Sequence, residues 1–256
     1  RRLFLNLSHF QDMLRYAALN HELSNVVRRV YARGSNVILD YARENCPLSD
    51  ADHVSAVTTK IVSSVPSAMF ALKLTSFGSR ESVRHADVHV RDIIHQARRV
   101  CIDAEDVLYP KLCYDYMREF NHDEPRVYKT YQMYRRDALK ELDADICASQ
   151  NHGIVLGAKL VRGAYVGKQR GLLPNKDAVD ASFRRGLDMT LNAGPNVYTL
   201  VATHNTQDIQ TVRAVPHDRY AIAQLLGMDN DFPDYVYVPY GSLSELTPYL
   251  FRRLVE

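Results

Sequence analysis

The chain has 256 residues and 29.2 kDa, with 46% hydrophobic and 24% charged residues, which is enough apolar material for one sizeable core. Its 32 basic and 30 acidic residues give a formal charge of +2, so we expect no nucleic-acid partner. The four cysteines lack the paired spacing of a zinc site, and no metal is expected. No apolar run reaches the roughly 18 to 20 residues that cross a bilayer, so any membrane contact would be peripheral. Because the sequence begins at Arg1, we expect a trimmed chain whose first residues do not reveal its compartment.

The first part of the chain predicts helix, and the remainder predicts alternating strands and helices. Residues 7–33 mix apolar and charged residues at helical spacing, so we predict an N-terminal helical segment over residues 1–34. After Gly34, short β-branched or aromatic runs alternate with longer amphipathic stretches, which is typical of a parallel sheet with crossover helices. The predicted strands are NVILDYA from Asn36, AMFALKL from Ala68, RVCIDAE from Arg99, VYKTYQ from Val127, IVLGAKLV from Ile154, VYTLVATHN from Val197, YAIAQLLG from Tyr220 and YVYVPYG from Tyr235.

Eight such units over residues 35–256 predict an α/β fold of the closed (β/α)8 TIM-type barrel kind, whose usual length is about 250 residues. An open α/β sheet with some strands over-predicted is the alternative. Two connections, 206–219 and 228–234, are short, and the second cannot hold a crossover connection of about a dozen residues. We therefore expect either a locally distorted barrel or a sequence that lacks some loop residues.

Polar residues recur where the predicted strands end, which is the level at which parallel barrels place their active sites. They are Lys73, Asp103, Glu105, Gln132, Lys159, Arg162, Thr203, His204, Asn205, Gln224, Tyr237 and Tyr240. A single histidine such as His204 is more often structural than catalytic. Asp103 and Glu105 would form a glycosidase-like pair only if their strand is regular. Six or more strands that end in this way nevertheless predict a site.

The last segment, LTPYLFRRLVE, predicts a helix with Pro248 in its first turn and with Arg252 and Glu256 on one face. One interpretation is an ion pair on a solvated helix. The other is an anion clamp, in which Arg252 and Arg253 join Lys73 to hold a small carboxylate or phosphate. The sequence contains no G-x-S-x-G, Walker, H-E-x-x-H or G-x-G-x-x-G motif. A basic, aromatic-rich mouth would suit an anionic planar cofactor and a small anionic substrate.

Several motifs, in order, closely resemble those of the proline dehydrogenase family. They are IDAED at 102–106, TYQMY at 130–134, KLVRGAY at 159–165, ATHN at 202–205, QLLGM at 224–228, YVPYG at 237–241 and YLFRRLVE at 249–256. The resemblance runs from about Ala68 to the C-terminus. The residues of QLLGM and YVPYG are most similar to those of the eukaryotic, mitochondrial, single-function form. It implies an FAD-dependent barrel enzyme.

Carried over residue by residue, the resemblance implies a site for substrate and cofactor. The carboxylate clamp would be Lys73, Arg252 and Arg253. The ring of the substrate would lie between Leu225, Tyr237 and Tyr249, and Asp103 would order the pocket, so the implied catalytic residues are Lys73, Asp103, Tyr237, Arg252 and Arg253. The residues implied to bind FAD are Gln132, Lys159, Val161, Gly163, Ala164, Thr203 and His204. Glu256 would hold the arginines or contact the flavin.

The reaction that the resemblance implies is hydride transfer from L-proline to FAD, which gives Δ1-pyrroline-5-carboxylate and is followed by electron transfer to a quinone. The implied location is the matrix side of the mitochondrial inner membrane. One alternative is oxidation of hydroxyproline, which Tyr237 disfavours because its phenol leaves little room for a ring hydroxyl. A second alternative is a non-catalytic proline-binding barrel whose short connections reflect lost flavin binding. A sugar-phosphate enzyme lacks support, because no glycine-rich phosphate loop follows the last strands.

Overall fold

In the described part of the chain, eight parallel strands close into a barrel and a short ninth strand extends it. The computed structural model describes residues 14–78, 82–105, 109–164, 171–216, 218–230 and 232–255. The strands are β1 (Ala18–Leu19), β2 (Asn36–Tyr41), β3 (Met69–Leu72), β4 (Arg99–Ile102), β5 (Val127–Gln132), β6 (Leu156–Val161), β7 (Val197–Ala202), β8 (Tyr220–Leu225) and β9 (Tyr235–Gly241). Each strand from β2 to β8 pairs with the next, and β9 pairs back with β2. The predicted (β/α)8 TIM-type barrel is confirmed, and the open-sheet alternative is wrong.

Helices follow the strands and cover the outside of the barrel. They are α1 (Leu23–Ala32), α2 (Ala51–Ser64), α3 (Asp87–Gln96), α4 (Pro110–Phe120), α5 (Ala138–His152), α6 (Lys176–Leu191), α7 (Thr206–Arg213) and α8 (Leu243–Val255). Their apolar faces pack on the outward side chains of the strands in one large core cluster. Among the helices of the described residues, none is long and apolar enough to cross a membrane.

The two short connections are accommodated differently. The connection at 206–219 contains the two-turn helix α7, so it does hold a crossover helix. Between Leu225 and Tyr235 the described residues form no helix. A connection without a helix can still run from the end of β8 back to the start of β9, because an extended chain covers about 3.3 Å per residue. Two hydrogen bonds between Gln224 and Asn230, of 3.1 and 2.8 Å, hold this connection against β8. The barrel is thus locally distorted at this point.

The prediction of an N-terminal helical segment over residues 1–34 is correct for α1 and wrong at Ala18–Leu19, and its first 13 residues lie outside the described residues. These two residues form β1, which pairs in parallel with the end of β9. The physical reason is that β8 pairs with β9 only as far as Tyr237, so the rest of that edge of β9 has backbone groups free for another strand. The close approach of the N-terminal segment also requires glycine at Gly227, where an added Cβ would lie 2.6 Å from the carbonyl oxygen of Arg15.

The interior of the barrel changes from apolar to charged along its axis. Small and apolar side chains such as Ile38, Met69 and Leu200 fill its middle. Because side chains alternate along a strand, the residue two positions after an inward apolar residue also points inward. Asp40 follows Ile38 in this way and is fully buried. The charged layer therefore lies at the C-terminal ends of the strands, directly above the apolar layers.

Candidate active site at the barrel mouth

The mouth of the barrel holds a cavity of about 450 Å³. Its wall includes Asp40, Lys73, Asp103, Thr130, Gln132, Lys159, Val161, Arg162, Gly163, Ala164, Thr203, His204, Asn205, Gln224, Leu225, Tyr237 and Tyr249. The residues that the resemblance assigns to substrate or cofactor lie on this wall wherever their side chains are described. Two other polar residues predicted at the mouth, Glu105 and Tyr240, do not line it. The proximity of the wall residues follows from the fold, since parallel strands bring their carboxyl ends to one rim.

A buried ion pair occupies one side of the cavity. The ammonium of Lys159, on β6, contacts Oδ1 of Asp103, which follows β4. The hydroxyl of Tyr237 donates to the other carboxylate oxygen at 2.6 Å. The Lys159 Nζ also lies 4.9 Å from the centroid of the Tyr237 ring and 3.8 Å from the sulfur of Cys101. Both oxygens of Asp103 are thus engaged, and the three side chains hold one another in place.

The electrostatics of this pair keep both groups charged. Burial opposes ionisation of Asp103, but the positive charges of Lys159 and Lys73 outweigh it and lower the pKa of the carboxyl. Burial likewise disfavours the ammonium of Lys159, yet Asp103 raises its pKa above the ordinary value. Burial, together with the charge of Asp103, raises the pKa of Tyr237, so its phenol stays protonated and acts as a donor.

A second buried ion pair lines the same cavity, and only Lys73 of its two members was predicted from the sequence. The ammonium of Lys73 contacts Oδ1 of Asp40 on the neighbouring strand β2. Lys73 is 6% exposed and Asp40 is 0% exposed. The signal for Asp40 was present in the sequence, because an acidic residue inside the apolar run NVILDYA is costly to bury without a partner.

The residues expected to bind a flavin have specific hydrogen bonds. The Gln132 side-chain nitrogen donates to the carbonyl of Ala104 at 2.9 Å. Its Oε1 is buried and has no hydrogen-bond partner among the described residues. The Nε2 of His204 accepts from the backbone N–H of Leu225 at 3.0 Å, so the proton of the neutral ring lies on Nδ1. The Thr203 hydroxyl oxygen accepts from Arg162 at 2.9 Å.

Arg162 connects this wall to two helices through ion pairs. Its guanidinium contacts Asp180 on α6 and Asp208 on α7, both at 2.6 Å, and lies 4.3 Å from the centroid of the Phe183 ring. Arg162 was predicted to lie at the mouth, but its two acidic partners were not predicted, because they are distant in sequence. The guanidinium charge is therefore compensated by protein carboxylates.

The Asp103–Glu105 pair considered for acid–base chemistry does not form. Glu105 is buried away from the cavity wall, where it accepts from the backbone N–H of Thr75 at 3.1 Å and contacts the Thr75 hydroxyl. Burial raises the pKa of Glu105 to about 7, and the hydrogen bonds from Thr75 counteract part of this shift. The two carboxyl groups thus have different surroundings, and a glycosidase arrangement is not supported.

The last helix, α8, contributes Tyr249 to the cavity wall. It begins at Leu243, so the prediction that Pro248 lies in its first turn is wrong. A capping box starts it earlier: Glu245 accepts from the backbone N–H and the hydroxyl of Ser242 at 2.7 and 2.8 Å. The backbone of 252–253 lies in α8, but the side chains of Arg252 and Arg253, and the whole of Glu256, lie outside the described residues.

Several known proteins are similar to this chain. A family model described as "Proline dehydrogenase" matches residues 7–256. Proline dehydrogenase 1, mitochondrial, of Homo sapiens is 31% identical over 210 residues, which are 68% of this chain and 35% of that protein. Hydroxyproline dehydrogenase of Rattus norvegicus is 35% identical over 162 residues, which are 52% of this chain and 36% of that protein.

A solved structure, proline utilization A (PutA) from Bdellovibrio bacteriovorus inactivated by N-propargylglycine, has a TM-score of 0.84 at 18% identity. The match covers 98% of this chain and 33% of that one, and at this identity it supports the fold alone. The chain spans about a third of the length of these relatives. The family match over residues 7–256 shows that the chain belongs to the proline dehydrogenase family.

Proposed function

We propose that this chain oxidises L-proline in the cavity at the barrel mouth. The observation that carries the proposal is the convergence of two buried ion pairs, Lys73–Asp40 and Lys159–Asp103, on one cavity in a chain of this family. A small polar substrate needs a few fixed charges in a largely apolar pocket to define its orientation. The cavity has both kinds of surface.

The carboxylate of proline would bind to Lys73. A lysine ammonium has three N–H donors, and contact with Asp40 leaves donors for the substrate. Arg252 and Arg253 would complete the clamp, since α8 carries them one turn after Tyr249. Leu225, which also lies on the cavity wall, would contact the apolar ring.

Tyr237 and Tyr249 would enclose the same ring, because their side chains also line the cavity. The Tyr237 phenol is fixed by Asp103 and presents its ring as a wall. Together these groups would hold the ring carbon next to the nitrogen in one orientation, which is the main contribution of a protein to hydride transfer.

The residues at the mouth fit FAD. The unpartnered Oε1 of Gln132 is a buried acceptor, and Lys159 is a buried cation on the same cavity. Gln132, Lys159, Thr203 and His204 would hold FAD with their side chains, and Val161, Gly163 and Ala164 would line it. When bound, FAD supplies the hydride acceptor. Because Asp103 fixes the Lys159 ammonium, its positive charge is preorganised to stabilise negative charge that develops beside it.

In the proposed reaction a hydride passes to FAD from the ring carbon that adjoins the nitrogen and does not carry the carboxylate, while the ring nitrogen loses a proton to solvent. A C=N bond forms between these two atoms, and the product is Δ1-pyrroline-5-carboxylate. Electrons would then pass to a quinone. The relatives from Homo sapiens and Bos taurus are named mitochondrial, which supports a mitochondrial location for the protein. The matrix side of the inner membrane is the location that the family resemblance implies.

Hydroxyproline oxidation is the second candidate, since a hydroxyproline dehydrogenase is among the relatives. The position of Tyr237 favours proline. Its phenol lines the cavity and donates to Asp103, so a ring hydroxyl would have to compete for space beside a buried, already hydrogen-bonded group.

A product assay tests the proposal. Purified protein supplied with FAD, L-proline and a dye acceptor should form a cyclic imine that o-aminobenzaldehyde traps, with the dye reduced in equal amount. Preferential turnover of 4-hydroxy-L-proline would support the second candidate instead. Binding of proline without product would contradict both and leave a non-catalytic proline-binding barrel.

A further inference from the structure

We propose that Asp40 is a positioning residue that holds the Lys73 ammonium toward the cavity for the carboxylate of the substrate. This inference rests on the proposed function. It assigns a role to a residue that the predicted site did not include.

Lys73 is a buried lysine. The residue follows directly after β3 and is 6% exposed, so its ammonium has lost most of its hydration. A buried ammonium without a counter-charge is unstable and tends to lose its proton. A neutral amine would bind a carboxylate poorly, so the site needs a group that keeps Lys73 charged.

Asp40 meets this need from the adjacent strand. In the barrel register, Asp40 lies opposite Ala71, two residues before Lys73. Its carboxylate contacts the ammonium through Oδ1, and its Oδ2 has no hydrogen-bond partner among the described residues. The ion pair of Asp40 is with Lys73, and Tyr237 and Asp103 also influence its charge. Asp103, in contrast, divides its two oxygens between Lys159 and Tyr237.

The surrounding charges support this assignment. Lys73 faces Asp40 from β2, Asp103 after β4 and, at longer range, Glu105; Tyr237 faces the two aspartates from β9. Burial would lower the pKa of Lys73, but these carboxylates, with Asp40 the largest contributor, raise it above its ordinary value. Burial also raises the pKa of Asp40, and the ammonium of Lys73 opposes that shift. Asp40 therefore contributes to substrate affinity by acting on Lys73, and we expect its loss to affect KM more than kcat.

The test uses the FAD-loaded enzyme and tetrahydrofuran-2-carboxylate, which keeps the ring and the carboxylate of proline but lacks the N–H. Calorimetry should show that Asp40→Asn weakens binding of this probe about tenfold or more. The KM for L-proline should rise by a similar factor, with kcat changed much less. A Kd for the probe equal to that of the wild type would overturn the proposal, and so would loss of kcat at unchanged KM.

A pH series separates positioning from a general structural effect. In the wild type the Kd of the probe should stay constant from about pH 7 to 9, because Lys73 remains protonated. In Asp40→Asn, binding should weaken as the pH rises through this range, since burial then lowers the pKa of Lys73 unopposed by its main partner. The same flat profile in both proteins would contradict the role.

Two further variants complete the design. Asp145→Asn is the matched control, because Asp145 also pairs with a buried lysine, Lys129, but lies outside the cavity wall; its Kd for the probe should equal that of the wild type. If Asp40→Asn does not fold, Asp40→Glu decides, since it keeps the charge but moves it. This variant should raise the Kd of the probe at unchanged kcat, and an unchanged Kd overturns the proposal. Probe binding that depends on Asp40, without proline oxidation, would contradict only the proposed function.

Discussion

Lys129 and Lys159 are two buried lysines on adjacent strands with similar burial and different surroundings. Lys129 is 3% exposed and Lys159 is 4% exposed, and each contacts carboxylates. Lys129 points outward to Asp145 and Glu141 on α5, at 2.5 and 2.7 Å, and the space beside it is about 20 Å³, enough for one water molecule. Lys159 points inward to a cavity of about 450 Å³. Burial and pairing are therefore common to both lysines, and the open space beside Lys159 is what favours it as the functional charge we propose.

The largest expected effect is on catalysis when the inward lysine is replaced. Lys159→Met removes a preorganised positive charge from the cavity, and we expect kcat for L-proline to fall by roughly 100- to 1000-fold. Steady-state kinetics with a dye acceptor, together with the FAD content and the circular dichroism spectrum, would measure this. A folded, FAD-loaded variant with unchanged kcat would place Lys159 in the same class as Lys129.

The outward lysine should show the opposite pattern. Lys129→Met removes the buried counter-charge of Asp145 and leaves Glu141 paired only with Arg135, so we expect the free energy of unfolding to fall by about 3 kcal/mol. Activity per folded molecule should stay within about threefold of the wild type, because Lys129 lies outside the large cavity. Urea denaturation and kinetics on the folded fraction provide the two readouts. A selective loss of kcat would end the distinction between the two lysines.

Glu105 is a buried carboxyl outside the cavity wall, so we expect it to affect the pH dependence of stability. Its pKa is raised by burial to about 7, above its unfolded value, so its contribution to stability is fully present below about pH 4.5 and is lost as the pH rises through about 7. Glu105→Gln should remove this contribution. The stability difference between the variant and the wild type should then shift in favour of the variant by about 3 kcal/mol between pH 4.5 and 8. Denaturation at both pH values checks this, and a constant difference would show that Glu105 does not titrate there.

A smaller effect is expected on selectivity. Tyr237→Ser opens space in the cavity wall, so the ratio of kcat/KM for 4-hydroxy-L-proline to that for L-proline should rise about tenfold. Tyr237→Phe is the control, because it keeps the ring and loses only the hydrogen bond to Asp103. An unchanged ratio in the serine variant would show that Tyr237 does not select against the ring hydroxyl.

The barrel was predictable because strand length, spacing and apolar content repeat along the chain. Residues at strand ends, such as Lys159 and His204, were placed at the mouth for the same reason, since a parallel barrel leaves only one rim for them. Pairing across strands was not predictable. Asp40 and Lys73 are partners through the register of β2 and β3, which no local pattern specifies. The strand at Ala18–Leu19 was missed because two residues carry no periodicity, and only the open edge of β9 makes them a strand.

In the sequence, charge alone also did not show which of the two buried lysines would face the cavity. Lys129 and Lys159 occupy similar positions in adjacent strand motifs, VYKTYQ and IVLGAKLV. Which face of the strand each occupies depends on the alternation, and which carboxylates it meets depends on α5 and β4. The proposed role of each lysine thus depends on its neighbours in the fold. The assignment of residues to substrate and cofactor came from the family resemblance, because residue spacing alone does not specify it.

The most direct test of the central claim is the visible absorption spectrum of the FAD-loaded protein under anaerobic conditions, recorded before and after L-proline is added. Proline oxidation at the barrel mouth predicts that the flavin bands bleach with L-proline and that Lys159→Met slows the bleaching while Lys129→Met does not. A spectrum that L-proline leaves unchanged in the folded, FAD-loaded wild type would contradict the account.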